Sequence, residues 1–200
     1  ARFSDDIAAI GDAVHRLGVD RSDSTNYLFW SDPLDSRIAG RLTKETLTRV
    51  RAETEGVLTH LAAGRPRTHA NAARVMALAA RRLNYLARDY QIASEARYYY
   101  DDAMAHANDA RKGLVYRGLY IAKYNFWEMR DNMEELAALY AAAWSYESRP
   151  GHLASNLERY HRAAQQAIDR ADKINAMTFE DYLRNKQFPT FDQTLGLGHR

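Results

Sequence analysis

Between Thr68 and Gly113 the chain carries neither proline nor glycine. A strand or loop seldom runs so far without either residue, whereas a helix can. Along this stretch Met76, Ala79, Leu83, Leu86, Tyr90, Ala93, Arg97, Tyr100, Met104 and Ala107 recur at alternating three- and four-residue steps. That is the period of one buried helical stripe. The spacing predicts a single helix of about 45 residues, roughly 65 Å long at 1.5 Å per residue.

Two further stripes follow. Residues 114–148 repeat the pattern through Val115, Leu119, Ala122, Phe126, Met129, Met133, Leu136, Tyr140 and Ala143. Residues 153–174 do so through Leu153, Leu157, Tyr160, Ala164, Ala167, Ala171 and Ile174. Short turns join the three, so neighbours must run antiparallel. A fourth, shorter wall is expected from Thr43, with Leu47, Val50, Thr54, Val57 and Leu61 on one face and Gly64 and Pro66 at its end. The expected fold class is all-α: an antiparallel up-down bundle of three long helices with shorter N-terminal helices. One domain is expected over the 200 residues, with short helices in 4–42, the bundle in 43–176, and a short helix from Thr178 and an irregular tail in 177–200. In the N-terminal part Ser4 is placed as an N-cap, Gly18 as a stop, residues 19–27 as a polar loop and Pro33 as a break.

Composition narrows the function classes. Basic and acidic side chains number 28 and 26, giving a formal charge of +2, and no basic stripe appears. No nucleic-acid partner is therefore expected. No apolar run approaches the roughly 20 residues that span a bilayer, so no membrane partner is expected either. Cysteine is absent, which removes thiolate ligands and thiol nucleophiles. The chain opens without an initiator methionine and is expected to be a piece of a longer one. Its compartment is left open, the parent being periplasmic or secreted as readily as cytosolic.

The chemistry-bearing motifs are sparse. Glu158–His161 is a Glu-x-x-His, but a carboxylate-bridged di-metal bundle needs two such pairs and two further glutamates. Asp102 and His106 suit an i,i+4 electrostatic pair better than a metal site. No zinc-hydrolase, serine-nucleophile or phosphate-loop motif occurs, and neither metal nor cofactor is expected. Arg97 interrupts an apolar seam, so its guanidinium needs a carboxylate or carbonyl partner, the alternative being an arginine that binds a ligand. Glu128 on the next helix is the expected partner, with Glu134 and Glu135 as alternatives. Thirteen tyrosines and three tryptophans are a surplus. The "RYYYDD" and "KYNFWEMRDN" runs spread rings around the helix, so some must meet a second surface.

A proline-glycine turn at Arg149–Gly151 separates the second and third long helices, with His152 at the start of the third. The surrounding "LAALYAAAWSYESRPGHLASNLERY" (Leu136–Tyr160), together with "NYLFWSDP" (Asn26–Pro33) and "ARRLNYLARDYQIASEARYYYDDA" (Ala80–Ala103), resembles the helical region that follows the catalytic barrel in bacterial family 20 β-N-acetylhexosaminidases. In that family a (β/α)₈ barrel bears an adjacent Asp-Glu pair. Its Glu protonates the leaving oxygen, and its Asp orients the substrate acetamido group that attacks. The family's His-x-Gly-Gly-Asp-Glu motif is absent here, and Glu180–Asp181 reverses the order. The resemblance thus carries over no catalytic residue. It implies a non-catalytic accessory domain of a glycoside hydrolase, packing on the catalytic domain of its parent chain and lining the cleft. The alternative is a stand-alone helical module that binds a carbohydrate or a protein. Trp30, Tyr99, Trp127, Trp144, Arg149 and His152 are the candidate partner or ligand surface.

Overall fold

The structure, a computed structural model, describes residues 3–17, 24–64, 70–108, 111–147, 151–176 and 188–197. Their regular elements are all helical: α1 (Phe3–Arg16), α2 (Ser24–Trp30), α3 (Ser36–Ala39), α4 (Lys44–Ala63), α5 (Ala70–Asn108), α6 (Lys112–Glu147), α7 (Leu153–Asn175) and α8 (Phe191–Leu195). The all-α class expected from the periodicity is what the chain adopts, and its three long helices are α5, α6 and α7. No described helix is long and apolar enough to cross a membrane. The expected stops at Gly18 and Pro66, the Arg149–Pro150 half of the turn and the helix from Thr178 lie outside the described residues.

The contacts gather into two compact units, residues 1–91 with 134–160, and residues 92–133 with 161–200. In the first unit, α4 begins at Thr43, whose side chain accepts from the Thr46 amide and satisfies an orphan donor of the first turn. Its inward face is Leu47, Val50, Thr54 and Val57, all buried. Thr54 belongs there because its hydroxyl donates to the Val50 carbonyl at 2.8 Å and accepts from Asn84 Nδ2 of α5 at 3.0 Å. Helix α1 packs on α4. Arg16 Nε donates to Glu53 Oε1 at 2.8 Å, and His60 Nδ1 lies 3.0 Å from Asp6 Oδ1. Ser4 lies within α1 rather than capping it, because the helix already begins at Phe3. Around Pro33 the Asp32 carboxylate accepts from the Leu34 amide, and Asp35 accepts from the Arg37 amide at the start of α3. The loop expected to run to Tyr27 is cut short by α2, which starts at Ser24.

In the second unit Tyr100, Val115, Phe126 and Ile174 are fully or almost fully buried. Gly118 of α6 sits against Tyr99 and Ala103 of α5, with no room for a Cβ. Residues 188–197, expected to be irregular, hold α8. Thr190 and Gln193 form a reciprocal capping box at its start, and Gly196 ends it at φ 70°. Phe191 is the anchor. It is 1% exposed and lies between Tyr100, at 5.4 Å edge-on, and Phe126, stacked at 6.4 Å. Lys173 Nζ donates to the Leu195 carbonyl at 2.9 Å, placing a cation at the negative end of α8.

Candidate functional site

The densest grouping of the singled-out side chains lies in the first unit. Helix α2 supplies Phe29 and Trp30, α5 supplies Arg82, α6 supplies Tyr140 and Trp144, and α7 supplies Asn156, Arg159 and Tyr160. The pairs 140/144 and 156/160 are four residues apart, so each helix offers two neighbours on one face. Tyr160 is the hub. It is 2% exposed, and its ring meets Trp30 at 4.9 Å, Tyr140 at 5.6 Å and Phe29 at 6.0 Å. Trp144 tilts on Tyr140 at 5.5 Å, and the Tyr140 hydroxyl accepts from Asn156 Nδ2 at 2.9 Å.

Two guanidiniums enter this aromatic group. The Arg82 carbon centre sits 4.1 Å from the Phe29 ring centre and 5.6 Å from that of Trp30. Arg159 covers Trp30 at 4.4 Å. A cation over a ring is attracted by its quadrupole, by about 0.5–2 kcal/mol according to desolvation. Burial pushes the Arg82 guanidinium below its ordinary value, and nearby Arg159 acts in the same direction. Burial likewise pushes the Tyr160 phenol up. Flat apolar rings, two cations and an amide suit packing against, or holding, a partner surface.

The sequence-chosen surface residues divide. Trp30 and Trp144 both belong to this cluster, linked through Tyr160 and Tyr140. Tyr99 and Trp127 belong to the second unit, in separate ring pairs with Tyr98 and Tyr124. All four are half-buried rather than exposed. His152 is exposed with φ 70°, and its carbonyl accepts from Ser155 Oγ and the Asn156 amide as α7 begins. Arg149 lies outside the described residues. Among the described residues the exposed aromatics are instead Tyr27, Tyr98, Tyr116, Tyr120 and Tyr124. Their signal was phase: 116, 120 and 124 fall out of step with the seam at 115, 119, 122 and 126.

The carboxylate that meets Arg97 is Asp192 of α8, at 2.6 Å, in place of the expected Glu128. The reason is α8 itself, which brings Asp192 to Arg97 while Phe191 lies 4.6 Å beneath the guanidinium. Glu135, another expected candidate, is engaged by Arg81 at 3.4 Å and by the Tyr85 hydroxyl. Asp102 and His106 form the i,i+4 pair, at 3.7 Å. Glu158 and His161 are both exposed. Among the described residues no group of three or more His, Asp or Glu could hold a metal ion.

No family model matches the chain, and comparisons with curated proteins and with solved structures likewise find no match.

Proposed function

We propose that this chain is a non-catalytic helical accessory domain of a β-N-acetylhexosaminidase-like glycoside hydrolase, packing against the catalytic barrel of its parent. One observation carries the reading. The three segments that bear the resemblance are far apart in sequence, yet residues from all three meet in one cluster. Phe29 and Trp30 come from the first, Arg82 from the second, and Tyr140, Trp144, Asn156, Arg159 and Tyr160 from the third. Arg159 and the half-buried rings of Trp30 and Trp144 give this cluster an outward side that a barrel can cover.

The test is the solvent access of Trp30. With Trp127→Phe and Trp144→Phe, Trp30 is the sole tryptophan of this chain. Acrylamide quenching is compared between the isolated chain and the same chain within the product of its whole reading frame, with the other tryptophans there also replaced. Strong quenching in isolation and protection in the intact product are expected. Equal quenching in both would remove the cluster as the docking face. The alternative, a stand-alone module for a carbohydrate or protein partner, is favoured by the exposed tyrosines of α6.

A further inference from the structure

We propose that the outer face of α6 between Tyr116 and Trp127 binds an acidic carbohydrate chain. The inference goes beyond the accessory-domain reading and stands on the second unit alone.

Tyr116, Tyr120, Tyr124 and Trp127 follow one another at steps of four, four and three. At 100° per residue they share an arc of about 80° on the helix. Tyr120 and Tyr124 are 56% and 53% exposed, and Tyr116 is 37% exposed. They form a ladder: Tyr120 and Tyr124 stack at 5.9 Å with ring planes 30° apart, and Trp127 meets Tyr124 at 5.9 Å. Four residues of helix advance about 6 Å, so the rings recur on the scale of successive sugar units. An aromatic face offers apolar area to the C–H side of a pyranose with little rotamer entropy to lose.

Charge selects the occupant. Arg117 and Lys123 lie about 60° to either side of Tyr120 and so flank the ladder. Lys123 Nζ sits 5.2 Å from the Tyr120 ring and 4.9 Å from that of Trp127, and it donates to Asn175 Oδ1 at 3.0 Å. Neither cation has a carboxylate partner among the described residues. Beyond Trp127, Arg130 and Asp131 neutralise each other at 2.7 Å. Among the described residues the face therefore combines rings with two positive charges that no carboxylate meets, which complements a glycan bearing carboxylates or sulfates. The chain as a whole carries a formal charge of only +2 and no basic stripe, which weighs against a nucleic acid as the occupant.

The experiment titrates the purified chain with an alginate hexasaccharide, in which every sugar is a uronate, following heat and tryptophan fluorescence. Cellohexaose and a twelve-residue oligothymidylate are titrated in parallel. The alginate is expected to bind at least about tenfold more tightly than either, and more weakly as salt rises. Tyr120→Ala and Lys123→Gln are each expected to weaken it about fivefold or more without changing the helical circular dichroism. Arg117→Gln is the second charge variant, since its side chain is exposed and supports no described contact. Equal affinity for cellohexaose, tighter binding of the oligothymidylate, no binding of any probe, or full affinity in the Tyr120 variant would each overturn the proposal. None of these outcomes bears on the quenching of Trp30.

Discussion

Arg97 of α5 and Asp192 of α8, 95 residues apart in sequence, form a 2.6 Å ion pair over the ring of Phe191. Both charged side chains are more than a third exposed or close to it, at 39% and 34%. Such a pair contributes only about 0.2–1 kcal/mol. The buried Phe191 ring contributes more, and its removal is expected to cost about 3–5 kcal/mol. Urea unfolding of Arg97→Ala, Asp192→Asn, their combination and Phe191→Ala checks this ordering. A coupling energy between Arg97 and Asp192 larger than the loss at Phe191 would reverse it.

Gly118→Ala is a second expectation. A Cβ there would lie 2.7 Å from both the Ala103 Cβ and the Tyr99 carbonyl oxygen, and backbone cannot yield as a flexible side chain can. In an open helix the same change would stabilise. Here overpacking is expected to cost about 1–3 kcal/mol, read from the urea midpoint at unchanged slope.

Thr54→Val separates polarity from shape in the first unit. Valine fills the same space but removes the 3.0 Å acceptor of Asn84 Nδ2, which keeps the Arg51 carbonyl at 3.3 Å and Glu55 Oε1 at 3.4 Å. The expected destabilisation is that of one lost hydrogen bond, about 0.5–1.5 kcal/mol. A stability unchanged from the parent would mean that the hydroxyl contributes nothing beyond its volume.

Alkaline pH tests the environment of Tyr100. Burial raises its phenol from 10.0 to about 12, although the hydrogen bond with Thr194 acts the other way. The neutral form is thus the one that the fold favours. Its contribution is complete below pH 10 and is lost as pH climbs towards 12. With solvent screening near the hydroxyl it amounts to about 1–2 kcal/mol. Tyr85 acts in the same sense, raised to about 12 by burial and by its hydrogen bond to Glu135. Unfolding free energies measured from pH 9 to 12 are expected to fall, and to fall less steeply in Tyr100→Phe.

The long helices were legible because they need only two things from the sequence, a regular apolar period and no breaker. Thr43 and Gly64 at the ends of α4 were legible for the same local reason. Helix α8 was not, although Thr190, Gln193 and Gly196 spell a capped turn. Five residues are too few to show a period, and what holds them is Phe191 in a pocket of distant residues. Arg97 illustrates the same limit. Its need for an oxygen partner was readable, but the carboxylate came from an element that local patterning did not reveal. Among the aromatics, choosing tryptophans by type picked side chains that pack. The phase of Tyr116, Tyr120 and Tyr124 against the α6 seam marked the ones that do not.

Hydrolysis of 4-nitrophenyl N-acetyl-β-glucosaminide is the most direct test of the accessory-domain account. It is measured for the isolated chain and for the product of its whole reading frame. The intact product is expected to release nitrophenol, and the isolated chain to stay at the level of the buffer blank. Turnover by the isolated chain, or an inactive intact product with no barrel in it, would contradict the account.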